Sequence, residues 1–224
     1  MILGKLAEES IMKRLFAIAG TDSCGKSTFL KFLESLGFPT STWHLFAREE
    51  FLKIPGFVEL DDFGLSVHKA VKESEREFHF KQVFNFWNLS LQNQMENCGK
   101  LPVIADSLDH RFKVKESLLY GNFGGNEILG LLPKPDLVFL IELNTEFAWH
   151  LNGGNPEFYE MYPENANSSA TLEQRFNLFQ TDVYNGMKTL YSELQIPVVI
   201  LPNTGLLSKA DKHEMWMEII SQYI

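Results

Sequence analysis

Gly20-Thr21-Asp22-Ser23-Cys24-Gly25-Lys26-Ser27-Thr28 is the stretch whose reading decides the fold. It spells G-x-x-x-x-G-K-S, a phosphate-binding loop pattern. The flanks supply the context that the pattern needs. Leu15-Phe16-Ala17-Ile18-Ala19 is an apolar run of buried-strand length. Downstream, Phe29, Leu30, Phe32, Leu33 and Leu36 recur at helical spacing, and Gly37 follows as a C-cap. Gly20 and Gly25 admit backbone turns that a Cβ resists, so successive N–H groups can converge on phosphate oxygens. The helix N-terminus adds partial positive charge at the same spot. Ser23, Cys24 and Thr28 complete the loop around an ATP phosphate chain. Lys26 is expected to reach the β- and γ-phosphates, and Ser27 to offer its hydroxyl to Mg²⁺. A chance match in an unrelated strand-turn-helix is the competing reading, and these flanks argue against it.

Working outward, Pro39–Phe46 is rich in strand formers and ends at Arg48-Glu49-Glu50, where a sheet's ligand crevice would lie. A solvated first helical turn explains Arg48 and Glu49 equally well. Residues 66–97 read as helix, in two pieces, closed by Gly99-Lys100. Phe84 and Trp87 on it serve either as core or as a stacking surface for a base. Leu101–Ala105 is a third apolar strand, and Asp106-Ser107 ends it. An acid immediately after a buried strand beside a phosphate loop fits a Mg²⁺-shell carboxylate or a base. A helix N-cap is the structural alternative. Asp109, His110, Arg111 and Lys113 then read as part of a connection running to Gly121.

Asp136–Leu143 is a fourth strand, and Asn144-Thr145-Glu146 opens a helix with good capping residues. Residues 152–170 are irregular and polar, in the position of a lid over nucleotide. A long helix over about 171–194, a fifth strand over Ile196–Leu201, a loop at Pro202–Gly205 and a closing helix complete the pattern. Strands alternating with helices predict a three-layer α/β P-loop NTPase fold, its five-stranded parallel sheet flanked by helices. The 224 residues suit a single domain with residues 1–13 as a leader and 152–174 as the lid-like insertion.

A net charge of −9 with no Lys/Arg-rich block speaks against an extended nucleic-acid surface. Cys24 and Cys98 provide neither a disulfide framework nor metal-ligand spacing. Cys24 reads as an oxidation-sensitive thiol or, more simply, as the small side chain the loop needs. No apolar run reaches membrane-spanning length, and Met1–Ile11 carries too many charges for a signal peptide. A cytoplasmic setting without membrane association is expected.

On these elements the chain resembles the thymidylate kinase family of nucleoside monophosphate kinases over roughly residues 14–222. The loop is similar to that family's G-x-D-x-x-G-K-[ST]-[ST], and Val103–Asp106 to its strand ending in Asp-Arg. Pro135–Leu143 is similar to its P-D-L strand, and Phe176 with Phe179-Gln180 to its helix after the lid. The resemblance implies that Asp22 contacts the acceptor's sugar and that Asn203, in Asn203-Thr204-Gly205, touches adenine. It also implies a homodimer. Ser107 stands where the family has arginine, and residues 151–174 hold no Lys or Arg. Arg111 or Arg175 is then expected to neutralise the transferred phosphoryl group. No counterpart of the family's base-reading element stands in 83–95. The implied activity is ATP- and Mg²⁺-dependent phosphorylation of a nucleoside monophosphate, dTMP to dTDP. Two alternatives remain open: a kinase for another small molecule or modified nucleotide, and a nucleotide-binding regulator with little turnover.

Overall fold

Alternate residues of three central strands point to opposite sides of one sheet, and this alternation builds the layers. A computed structural model describes residues 14–42, 73–99, 101–106, 108–121, 130–164, 169–203, 205 and 207–223. The strands are β1 (Leu15–Ala19), β2 (Thr40–Ser41), β3 (Val103–Asp106), β4 (Leu137–Ile141) and β5 (Val198–Leu201). All pair in parallel, in the order β2-β3-β1-β4-β5. Every residue of β1 and β4 is buried. Sheets covered on both faces give such continuous apolar runs.

Phe16, Ile18, Ile104, Phe139 and Ile141 pack on one face with α1 (Lys26–Ser35) and α6 (Lys209–Ile220). Phe29 is the pivot there, with ring centroids 4.8 Å from Trp216 and 6.1 Å from Phe139. Leu15, Ala17, Val103, Ala105, Val138 and Leu140 face the other side. That side is covered by α2 (Glu73–Asn97), α3 (Leu108–Tyr120) and α5 (Leu172–Glu193). Helices on both sides of a parallel sheet make the three-layer α/β P-loop NTPase fold. A shorter helix, α4 (Thr145–Asn152), follows β4, capped by the Asn144 side chain on the Phe147 N–H at 2.9 Å.

Two sequence expectations change. The connection expected from Asp109 is helix α3, whose buried face is polar and therefore lacks an apolar helical period. Phe84 and Trp87 are 1% and 0% exposed, and the Trp87 indole donates to Ser41 Oγ at 2.9 Å. They are core, not a stacking surface. Of the helical stretch expected over 66–97, Glu73–Asn97 is one continuous helix, α2, and residues 66–72 lie outside the described residues. The readings at residues 1–13, Arg48, Glu49 and Ser107 lie outside the described residues.

The motif Pro135-Asp136-Leu137 acquires a reason: the Asp136 carboxylate accepts the Leu15 N–H at 2.9 Å, fixing where β1 begins. On the helical side, α3 and α5 approach closely at Gly186. A Cβ there would lie 2.6 Å from Val114 Cγ1. That close contact brings the polar face of α3 against the loop after β1.

Candidate functional site

β1 sits at the centre of the sheet between β3 and β4, so its C-terminal end opens onto the crevice where open α/β sheets bind ligands. Ile18 pairs with Asp106 across the β1–β3 ladder. The β3-end acid is thus one strand over from the loop, as its sequence position predicts.

The loop fits a phosphate chain on two observations. Gly25, at φ 99°, is the N-cap of α1, and no side chain caps that helix. The first N–H groups of the helix are therefore not consumed by a side-chain cap, as an anion-binding helix start requires. At Gly20 a Cβ would meet Cys24 Sγ at 2.5 Å, so any larger residue there would displace the thiol packed beneath the loop. Ser23 adopts a left-handed conformation at φ 54°. Cys24 is buried beneath the loop, with its Sγ 3.8 Å from Lys26 Nζ. Lys26 Nζ donates to the carbonyls of Thr21 at 2.6 Å and Gly20 at 3.2 Å. Ser27 and Thr28 are exposed at the start of α1. Ser27 and the half-buried Asp106 have the oxygen chemistry that suits Mg²⁺.

Asp22 is the hub of the inner wall. Its carboxylate accepts from Arg111 Nη2 at 2.8 Å, Lys115 Nζ at 2.9 Å and Gln180 Nε2 at 3.2 Å. Burial alone would raise its pKa, but Arg111, Lys115 and Lys26 together outweigh it and hold the carboxyl well below the usual range. Burial lowers the Lys115 pKa, Arg111 adds to that, and Asp22 opposes it. Arg111 and Lys115 are four residues apart on α3, so one helix face delivers both.

Gln180, 0% exposed, ties this hub to two other elements. Its Oε1 accepts the Asp22 backbone N–H at 2.9 Å, and its Nε2 donates to the Glu160 carbonyl at 2.8 Å. Glu160 closes a short 3₁₀ turn, Phe158–Glu160, inside the segment read as a lid. Tyr159 from that turn lies under Lys115, with its ring centroid 4.7 Å from Nζ. Arg175 donates through Nη1 to the Tyr162 carbonyl at 3.1 Å, while the Tyr162 hydroxyl donates to Asp182 at 2.7 Å. The described part of the lid-like segment is therefore pinned to α5 by Arg175 and Gln180. Asn203 uses both ends of its amide locally, donating to the Glu142 carbonyl at 3.1 Å and accepting from the Gly205 N–H at 3.0 Å.

Lys115 and Gln180 are not read as site residues from the sequence, where Gln180 figures only in the helix resemblance, because their partner, Asp22, is 93 and 158 residues away. The one available signal is the Arg111-x-x-x-Lys115 spacing, which becomes meaningful once the segment is known to be helical.

A second polar pair sits deeper on α3. Asp109 accepts the Gly130 N–H at 3.2 Å, and His110 Nδ1 is 3.5 Å from Asp109 Oδ1. Burial pushes Asp109 up to about 6 and pulls His110 down to about 4. The folded chain thus holds the Asp109 proton more tightly than the unfolded chain, and stability from this group grows as pH falls from 6 toward 4. The unfolded chain takes the His110 proton more readily, so stability is lost as pH falls from 6.5 toward 4. Each contribution is about 3 kcal/mol when complete, and the two oppose each other. Relative to the wild type, Asp109→Asn should lose stability between pH 6.5 and 4, and His110→Gln should gain it. Urea midpoints at pH 7, 6, 5 and 4 read this directly. Parallel profiles for all three proteins would refute it.

No protein-family model matches the chain, and no curated protein does. Among solved structures, the deoxyadenosine kinase of M. mycoides with its products dCMP and dCDP bound is similar, with a TM-score of 0.51 at 14% identity. The match covers 92% of this chain and 98% of that one. This likeness shows the fold, the three-layer α/β P-loop NTPase architecture described above. The same enzyme with bound dATP aligns at a TM-score of 0.48 and 18% identity, over 92% and 99% of the two chains. Among the described residues, no helix is long and apolar enough to cross a membrane.

Proposed function

We propose that the chain is an ATP- and Mg²⁺-dependent kinase that phosphorylates a nucleoside monophosphate, with dTMP as the first acceptor to test. The observation that carries this reading is the position of Arg111 and Lys115 on Asp22, at the inner wall of a loop built for phosphate. An acceptor bearing its own phosphate benefits from cations there far more than a neutral nucleoside does. When bound, Mg·ATP supplies the phosphoryl group and neutralises charge between its phosphates. Lys26 and the N–H groups at the start of α1 hold the phosphates, with Ser27 and Asp106 on the metal side. Asp106 also serves as the base where the acceptor loses a proton. Arg111 stabilises the transferred group, and Arg175 orders the segment beside it.

A second reading, phosphorylation of a deoxynucleoside hydroxyl, is favoured by the fold similarity to a deoxyadenosine kinase. ADP release from Mg·ATP against a panel of deoxynucleosides and their monophosphates separates the two. Turnover that depends on dTMP is expected, falling by on the order of 10² or more in Lys26→Ala. Turnover with nucleosides alone would move the protein to the second reading. ATP binding without acceptor-dependent turnover would point to a nucleotide-binding regulator. A homodimer and a cytoplasmic location remain part of the proposal, to be read by light scattering and by imaging of the tagged protein.

A further inference from the structure

We infer that Lys115 and Gln180 are positioning residues, holding Asp22 so that Arg111 can leave it for the phosphoryl group in transfer. The inference rests on the phosphoryl-transfer reading above. It begins from an imbalance: one buried carboxylate, Asp22, is paired with two cations. By charge count one cation neutralises it, and the pair leaves one positive charge in surplus.

The surroundings distinguish the two. Lys115 is 7% exposed, and its ammonium lies 4.7 Å from the Tyr159 ring centroid and 5.8 Å from that of Phe179. Both contacts favour a cation that stays where it is. Arg111 is more exposed, at 17%, and its buried Nε has no partner among the described residues. It also stands one helical turn nearer the start of α3, toward Asp106 and the β3 end. A guanidinium with an unused donor gains hydrogen bonds by moving to a phosphate.

Gln180 prevents Asp22 from following. It binds the Asp22 backbone N–H and carboxylate together, and its third bond runs to the Glu160 carbonyl. With Lys115 and Gln180 in place, Asp22 keeps a countercharge and its position after Arg111 departs. The segment 151–174 contains no Lys or Arg, so a stored cation in the wall meets a need that the lid cannot.

Lys115→Met tests this. Arg111 then becomes the sole strong counter-ion of a buried carboxylate and is retained on it. The kcat with the accepted substrate should fall by about tenfold or more, with ATP affinity within about twofold of the wild type. Adding Asp22→Asn removes the charge that retains Arg111, and kcat should recover to within about threefold. A lost contact between Asp22 and the acceptor would fall on the acceptor KM, not on kcat at saturation. Lys115 acting only as a structural prop predicts no such recovery. An unchanged kcat in Lys115→Met overturns the inference. So does a folded double variant no faster than the single one.

A second readout needs no turnover. The Arg111 side-chain ¹⁵Nε resonance, assigned with Arg111→Lys, should shift in the wild type on addition of Mg·ATP. Absence of a shift overturns the inference. If no acceptor is turned over at all, the phosphoryl-transfer reading fails by itself, and this resonance still decides the behaviour of Arg111.

Discussion

Asp22→Ala should lower the melting temperature by roughly 10 °C, the equivalent of about 3–5 kcal/mol for a chain of this size. The carboxylate accepts hydrogen bonds from both Arg111 and Lys115, each mostly withdrawn from water. Removing it leaves two buried cations side by side, and their mutual repulsion adds to the desolvation that the carboxylate had offset. Gln180 would also lose the acceptor for one of its Nε2 bonds. Asp22→Asn should recover little, because its amide N–H groups would face donors from Arg111, Lys115 and Gln180. Combining Asp22→Ala with Lys115→Met should cost less than the sum of the two single changes, since the second removes one orphaned charge. Calorimetric melts without nucleotide measure all three effects. A drop of under 2 °C for Asp22→Ala would show that the cluster does not hold the loop to α3 and α5.

Such a cluster marks the boundary of what the sequence makes legible. The loop from Gly20 to Thr28 can be read because its chemistry is local: glycine spacing, lysine and hydroxyl stand within one turn and one helix start. The strands can be read because burial on both faces leaves apolar runs such as Leu137–Ile141, with β4 wholly buried. Asp106 is legible as the residue that ends such a run. α3 is not, because the side it buries meets the loop as well as the core. Asp109, His110, Lys115 and Glu116 are all buried on it, and their polarity makes the segment look like a connection. Trp87 illustrates the opposite ambiguity. An aromatic residue at helical spacing serves core or ligand equally well, and only its complete burial and its bond to Ser41 decide for core. Asp22 itself was legible only as a loop residue implied to meet the acceptor. Its side-chain partners among the described residues, Arg111, Lys115 and Gln180, come from α3 and α5, far along the chain.

The two arginines proposed to neutralise the transferred group should separate in kinetics. Arg111→Ala should reduce kcat by about 10³-fold, the lower end of the effect of an arginine on phosphoryl transfer. Its guanidinium sits on a loop residue of the phosphate site and under the influence of Asp106 at the end of β3. Arg175, one turn into α5, instead donates to the Tyr162 carbonyl, and the Tyr162 hydroxyl in turn donates to Asp182, away from the loop. Arg175→Ala should therefore loosen the segment around Tyr159 and Tyr162, raising substrate KM several-fold while kcat stays within about tenfold. Hydrogen exchange of residues 157–163 should quicken in Arg175→Ala and remain near the wild type in Arg111→Ala. The reverse pattern, with kcat lost in Arg175→Ala and retained in Arg111→Ala, would mean that α5 swings its arginine inward during turnover. Arg111 would then be a structural counter-ion to Asp22, and the wall of the site would contribute stability rather than charge to the reaction.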